Sequence, residues 1–344
     1  MNKVMVEVPG GAYPVLIGEN LLGSVESLLP PDARRVVVVT QESVPYALDF
    51  APRPSKVLLV PPTEAAKKLE VVQDLLEEVA AFGLSRSDAI VALGGGVVSD
   101  LAGFVASIYF RGIRYVNVAT TLLSQVDAAI GGKTGVNLST GKNLVGTFWQ
   151  PSAVVCDVET LSSLADRELS SGFGEMAKYE FLGSGKLDMS DMVGSVTRCV
   201  QIKARYVAGD EREGAERAML NYGHTMGHAI EALGISGAIG YLYHGEAVAL
   251  GLVFAAHLAL VLGRIDVEEV ERHYEVVDRF ALSSVLPSGV TADAVMAYLA
   301  RDKKARGSIT FVLADRLGSL EVVSGISGSE IQRAIESMRS WPRK

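Results

Sequence analysis

His224 and His228 stand four residues apart in Leu220-Asn221-Tyr222-Gly223-His224-Thr225-Met226-Gly227-His228-Ala229-Ile230-Glu231, in a chain that has only five histidines. If this stretch is helical, Arg217, Asn221, His224 and His228 share one face at offsets 0, 4, 7 and 11, where an ordinary helix would carry leucines. Two glycines inside that helix, Gly223 and Gly227, would cost roughly 1 kcal/mol each against alanine, a cost tolerated where something must approach the backbone closely. A third histidine follows in Tyr243-His244-Gly245-Glu246, at the head of the apolar run 247–253. Three imidazoles and one carboxylate would bind a divalent metal such as zinc and leave a position open for a substrate. A satisfied capping or core network accounts for the histidine pair alone equally well, so the rest of the chain has to decide.

The residues that must position this cluster lie in a chain of 344, 49% hydrophobic, long enough for two domains. No apolar stretch reaches the uninterrupted span of a membrane helix. The start, Met1-Asn2-Lys3-Val4-Met5-Val6-Glu7-Val8, alternates like a strand and has no signal-peptide core. A cytoplasmic protein without a membrane partner is expected. Cys156 and Cys199 are too few for a disulfide framework and read as buried thiols in a reduced compartment. The net charge of −8 argues against a nucleic-acid partner, so an anionic substrate would need locally clustered lysine and arginine.

Along the first half, 36–40, 56–60 and 89–93 read as buried strands and 64–82 as an amphipathic helix. The alternation predicts an α/β fold: an N-terminal Rossmann-like domain over 1–158, whose glycine turn is the candidate NAD-binding site, then a mainly α-helical domain over 159–344 that carries the candidate metal- and substrate-binding residues. The boundary is marked by Trp149-Gln150-Pro151, with 153–157 as a last strand of the first sheet. In the second half, 308–313 and 319–323 read as a hairpin. Gly94-Gly95-Gly96, followed by Asp100, lies between a strand and a helix, where backbone N–H groups and the helix dipole can hold a pyrophosphate; a tight structural turn explains it as well. Thr120 and Thr121 would cap a helix and contact a cofactor. The stretch from Gly131-Gly132-Lys133 to Lys142-Asn143 reads as a glycine-rich loop able to wrap an anion.

Taken in order, Gly94-Gly95-Gly96-Val97-Val98-Ser99-Asp100, Tyr109-Phe110-Arg111-Gly112, Thr120-Thr121-Leu122-Leu123, Gly131-Gly132-Lys133-Thr134-Gly135-Val136-Asn137, Gly141-Lys142-Asn143-Leu144, Glu175-Met176-Ala177-Lys178, Asn221 to His228 and His244-Gly245-Glu246 resemble the 3-dehydroquinate synthase family over nearly the whole chain. The resemblance implies an NAD- and metal-dependent homodimer of the shikimate pathway, acting on a small anionic sugar phosphate, with zinc or cobalt as the metal. In that reaction a ring hydroxyl is oxidised by NAD, phosphate is eliminated with the substrate's own phosphate as base, the ketone is reduced back, and the opened ring closes by an aldol step. It implies Glu175, His224 and His244 as metal ligands and His228 as a proton-transfer residue. Asp127, Lys133, Asn143, Lys178, Lys203, Arg217 and Asn221 match substrate-contacting positions, Arg111 would reach the phosphate in the partner subunit, and one of Lys303 and Lys304 would reach substrate. Glu64, Lys67, Gly94, Gly95, Gly96, Asp100, Thr120, Thr121, Asp127, Lys133 and Lys142 match the cofactor side.

Departures from the family pattern sit mainly on the cofactor side: Ala119 where proline is common, Thr63 and Ser99 where glycine is, and Gln41 where an acidic residue often meets the ribose. Glu213 is expected to hold Arg217, and Glu246 to orient His244. Two other activities stay open, a different sugar phosphate cyclase and a metal-dependent alcohol or glycerol dehydrogenase. A non-enzymatic relative is disfavoured by the intact Glu175, His224 and His244. His257 and His273 are assigned no role.

Overall fold

The computed structural model describes residues 1–214, 216–306, 309–316 and 319–342, without the side chains of 301–306 and 316. In chain order the first elements are β1 (Asn2–Val8), β2 (Gly11–Gly18), β3 (Val36–Thr40), β4 (Ser55–Leu59), α1 (Leu69–Phe82), β5 (Ala89–Gly94), α2 (Gly96–Ile108), β6 (Arg114–Ala119), β7 (Lys133–Leu138), β8 (Gly141–Phe148) and β9 (Ala153–Asp157). There follow α3 (Asp166–Phe181), α4 (Met192–Gly209), α5 (His224–Ile235), α6 (His244–Val261), α7 (Val267–Arg279), α8 (Ala292–Arg306), β10 (Thr310–Arg316), β11 (Ser319–Ser324) and α9 (Gly328–Ser340).

The chain divides into two compact units, Met1–Ala165 with Asp188–Arg212, and Asp166–Leu187 with Glu213–Lys344. The boundary expected after residue 158 therefore moves to Ala165, and α4 returns to the first unit. Its reason is packing: α4 lies along β1, where Asn2 Nδ2 donates to Thr197 Oγ1 at 3.0 Å, and Lys203 Nζ donates to the Asp127 carboxylate at 2.6 Å.

The first unit is built on a sheet ordered β1-β2-β9-β6-β5-β3-β4, antiparallel at β1-β2 and parallel elsewhere. Continuous apolar runs such as Val36-Val37-Val38-Val39 are buried on both faces, as parallel strands covered on each side require. Leu101 and Val105 of α2 pack with Val37 and Ile90 on one face; Val25 and Phe50 pack with Val38 and Val91 on the other. From β3 the chain goes to β4 on one side and β5 on the other. The carboxyl ends of β3 and β5 thus form the switch point at which open α/β sheets hold ligands, and Gly94 to Gly96 stand there.

Two local expectations change. The helix expected over 64–82 is broken: a 3-10 turn covers Thr63–Ala66, Lys68 is extended, and α1 begins at Leu69. The expected glycine-lysine loop is an antiparallel hairpin, β7 paired with β8. A Cβ on Gly146 would stand 2.0 Å from the Thr134 carbonyl oxygen, so this glycine serves the close approach of two strands rather than loop mobility.

Among the described residues the second unit is helical apart from the β10-β11 hairpin; Ser308, expected to open its first strand, lies outside the described residues. Its core is α6, the one helix among the described residues long and apolar enough to cross a membrane, but here surrounded by α3, α5, α7 and α9. His257 and His273 are core groups, at 0% and 2% exposure. His273 donates from Nδ1 to the Glu269 carbonyl at 2.7 Å, so its Nε2 accepts from the Tyr222 hydroxyl at 2.6 Å. His257 lies 2.9 Å from both Ser337 Oγ and Tyr274 Oη.

Burial pushes both imidazoles down to about 4, from 6.5 when exposed. The folded state thus binds fewer protons than the unfolded chain between these values, so the stability they contribute is complete above 6.5 and lost as pH falls towards 4. Thermal melts of the protein from pH 7.5 to 4.5 should show Tm falling below pH 6.5, with a shallower fall in His257→Gln and His273→Gln; an unchanged slope in both variants would contradict this.

Candidate active site

The metal-ligand candidates of the second unit converge because three helices cross at glycines. A Cβ on Gly245 would stand 1.7 Å from the Ser171 carbonyl oxygen, and one on Gly174 2.0 Å from the Gly245 carbonyl oxygen, so α3 and α6 meet backbone to backbone. Gly174 precedes Glu175, and Gly245 follows His244. Likewise a Cβ on Gly251 would stand 1.9 Å from the carbonyl oxygen of Gly223, the residue before His224. Gly223 has φ +78°, which ends the preceding 3-10 helix Arg217–Asn221 and starts α5. Arg217, Asn221, His224 and His228 therefore do not share one helix face. Gly227 does lie inside α5, where a Cβ would come within 3.3 Å of α6 backbone.

At this crossing Glu175, wholly buried, places Oε1 3.0 Å from His224 Nε2 and 3.1 Å from His244 Nε2, while its Oε2 pairs with Lys178 Nζ. Both imidazoles are fixed from behind. His224 Nδ1 donates to the Tyr222 carbonyl at 3.1 Å, and His244 Nδ1 lies 2.9 Å from Glu231 Oε2, so each Nε2 is directed at Oε1. Burial alone would raise the Glu175 carboxyl, but the Lys178 ammonium and His224 override it and hold it well below the usual range. Burial would lower His244, but its hydrogen bonds to Glu175 and Glu231 outweigh this and raise it to about 10.

One donor atom each from Glu175, His224 and His244 lies within 4.8 Å of the others. Two neutral imidazole nitrogens and a carboxylate oxygen suit zinc or cobalt, and three protein ligands leave room for a substrate oxygen. Because Oε1 faces the histidines and Oε2 faces Lys178, a cation at Oε1 leaves the ammonium its partner. The His228 ring stands 5.4 Å from that of His224 and 5.9 Å from that of His244. Arg217 is buried, and Asn221 donates to Glu213 Oε1 at 3.1 Å. Lys303 and Lys304 lie on α8, with side chains outside the described residues.

Glu246, expected to orient His244, has a different contact set. It accepts from the Tyr243 amide at 2.7 Å, capping α6, and takes two 2.8 Å hydrogen bonds from Arg167. Glu231 stands behind His244 instead. The sequence carried a faint sign of it, a carboxylate three residues after His228, but its partner is 13 residues away in a segment whose approach depends on the fold.

In the first unit, Gly95 caps α2, so the amides of the helix's first turn lie at the switch point. The glycines also pack tightly: a Cβ on Gly94 would stand 2.6 Å from Val98, on Gly95 2.9 Å from Thr121, and on Gly96 3.0 Å from Ala128. Thr121 Oγ1 accepts from the Ser124 amide at 3.2 Å, the expected cap, although the turn that follows is a π-helix, and Thr120 is buried. Lys67 is buried, donating to Asp100 at 2.7 Å and to Asn143, while Asn137 links Glu64 to the Asn143 amide through 2.8 Å bonds. Burial raises the Asp100 carboxyl, with Lys67 opposing. Lys133, Lys142 and Arg111 are exposed. Thr63 has φ +61°, the left-handed conformation that explains why glycine is the usual residue there, and Gln41 donates to the Pro61 carbonyl at 2.8 Å.

Comparison with known proteins identifies the family. The 3-dehydroquinate synthase N-terminal profile matches residues 57–171, and the C-terminal profile matches 164–305. A 3-dehydroquinate synthase of Symbiobacterium thermophilum is 41% identical over 355 residues, covering 95% of this chain and 98% of its own. A protein of Amycolatopsis mediterranei strain S699, named provisionally as an aminodehydroquinate synthase, is 40% identical over 339 residues, covering 98% and 95%. The crystal structure of a 2-deoxy-scyllo-inosose synthase, complexed with carbaglucose-6-phosphate, NAD+ and Co2+, superposes with TM-score 0.87 at 27% identity, covering 98% of this chain and 99% of that one. The α/β architecture is thus that of the sugar phosphate cyclases. Within them, the chain belongs to the 3-dehydroquinate synthase family, and it is an enzyme of that family.

Gly174→Ala and Gly245→Ala should each weaken divalent-metal binding roughly ten- to a hundredfold, the equivalent of an overpacking penalty of about 1–3 kcal/mol. Competition with a chromogenic chelator checks this, and wild-type affinity in both variants would show that the crossing does not set the ligand geometry.

Proposed function

We propose that the protein is a 3-dehydroquinate synthase, converting 3-deoxy-D-arabino-heptulosonate 7-phosphate to 3-dehydroquinate and phosphate in the cytoplasm, as a homodimer. The observation that carries the reading is the convergence of Glu175, His224 and His244 in a chain of this family. Bound NAD+ would supply a hydride acceptor and donor, and a bound divalent metal a Lewis acid.

On this reading Glu175, His224 and His244 hold the metal, and Lys178 keeps the buried carboxylate ionised. His228 takes up and returns the proton of the substrate hydroxyl at its imidazole. Lys133, Lys178, Lys203, Arg217, Asn143, Asn221, Asp127 and one of Lys303 and Lys304 bind substrate carboxylate, hydroxyls and phosphate, with Arg111 offered to the phosphate of a second copy. Preorganised cations of this kind stabilise charge that develops on the leaving phosphate. The amides after Gly94, Gly95 and Gly96 hold the NAD pyrophosphate, supported by Thr120, Thr121, Asp127, Lys133 and Lys142. Glu64, Lys67 and Asp100 shape that side of the site through their hydrogen bonds.

The Amycolatopsis relative supports a second reading, in which the substrate is the amino counterpart and the product aminodehydroquinate. One assay separates the two. With NAD+ and zinc, wild-type protein given 3-deoxy-D-arabino-heptulosonate 7-phosphate should release one phosphate per carbocycle, build up no NADH, and stop on chelation. Preference for the amino substrate would select the second reading, and sustained NADH formation from simple polyols would overturn both.

A further inference from the structure

We propose that Glu231 is a positioning residue for the metal centre: its carboxylate receives the Nδ1 proton of His244 and thereby commits Nε2 of that ring to the metal. The proposal rests on Glu175, His224 and His244 being the ligand set. His244 Nδ1 stands 2.9 Å from Glu231 Oε2, and the opposite nitrogen stands 3.1 Å from Glu175 Oε1. A ring gripped at both nitrogens has neither tautomeric nor rotational freedom, and outer carboxylates of this kind raise the basicity of a ligating imidazole. The other ligand, His224, has only a neutral carbonyl behind its Nδ1. The two histidines therefore differ: the less buried one, with 28% of its side chain accessible against 10% for His224, is the one that a charge holds.

The placement of Glu231 has a second consequence. One turn of α5 separates it from His228, and donor atoms of His228, Glu231 and His244 all lie within 4.8 Å of one another. Glu231 thus stands beside both the ligating imidazole and the proposed proton-transfer imidazole. The same three side chains are a donor set for a second cation, but that would require His244 to lose its Nδ1 proton and bridge two ions. A carboxylate accepting the proton is the less demanding arrangement, and metal stoichiometry separates the two.

The test is cobalt binding to the substrate-free protein, followed by the visible d–d absorption and by chelator competition, for wild type, Glu231→Gln and Glu231→Ala. Wild type is expected to bind one ion per chain. Glu231→Ala should bind one ion about ten- to a hundredfold more weakly, with a shifted cobalt spectrum, and Glu231→Gln, which keeps an acceptor but no charge, should fall between. The Gln variant serves alone if the Ala variant fails to fold. Added metal should restore turnover in both, since the residue does not touch substrate. Wild-type affinity and spectrum in the variants would overturn the proposal, as would two ions in wild type and one in Glu231→Ala. Binding that survives His224→Ala would instead overturn the ligand set itself, whatever Glu231 does.

Discussion

A carboxylate with none of its surface exposed has to be compensated within the protein, and Glu175 is the point at which the second unit meets that demand. An ionised carboxylate in such a place is tolerated only with counter-charge and hydrogen bonds. Lys178 supplies the first on one oxygen, and His224 and His244 supply the others on the second. The four side chains come from three helices, so the compensation fails if any helix shifts. The same placement suits a divalent cation once it replaces the Nε2 protons: two imidazole nitrogens and one carboxylate oxygen aimed at a common point.

The glycines at the crossings follow from the same requirement. The side chains of Glu175, His224 and His244 are short, and they converge only if α3, α5 and α6 approach more closely than side chains normally permit. Gly174 and Gly245, and Gly223 and Gly251, remove the Cβ atoms that would hold the helices apart, each pair next to a ligand or on its helix. The outer layer then fixes the rings. The Tyr222 carbonyl serves His224, while the Tyr222 phenol is itself tied to His273, a buried imidazole that has no part in the site. Arg167 and Glu246 brace the start of α6, from which His244 projects.

The sequence made the sheet legible because buried parallel strands read as unbroken apolar runs and the turn after β5 is glycine. The metal set was legible only through the motifs as a group, since two histidines four residues apart fit a core network as well. Three features depend on contacts distant in sequence. The break at Gly223 needs α6 to press against it, and the hairpin of β7 and β8 hid behind glycines that look like a mobile loop. The return of α4 to the first unit depends on Asn2, nearly two hundred residues from its partner Thr197. Adjacency in sequence points to Glu246 as the orienting carboxylate, whereas α5 and α6 pack so that the more distant Glu231 faces the ring.

X-ray absorption at the zinc edge of the metal-loaded protein tests the central claim most directly, that Glu175, His224 and His244 form one metal centre. The account predicts a shell of two imidazole nitrogens with one or more oxygens at about 2.0–2.2 Å and no sulfur, reduced by one imidazole in His244→Ala. A sulfur-containing shell, or a shell unchanged in that variant, would contradict it.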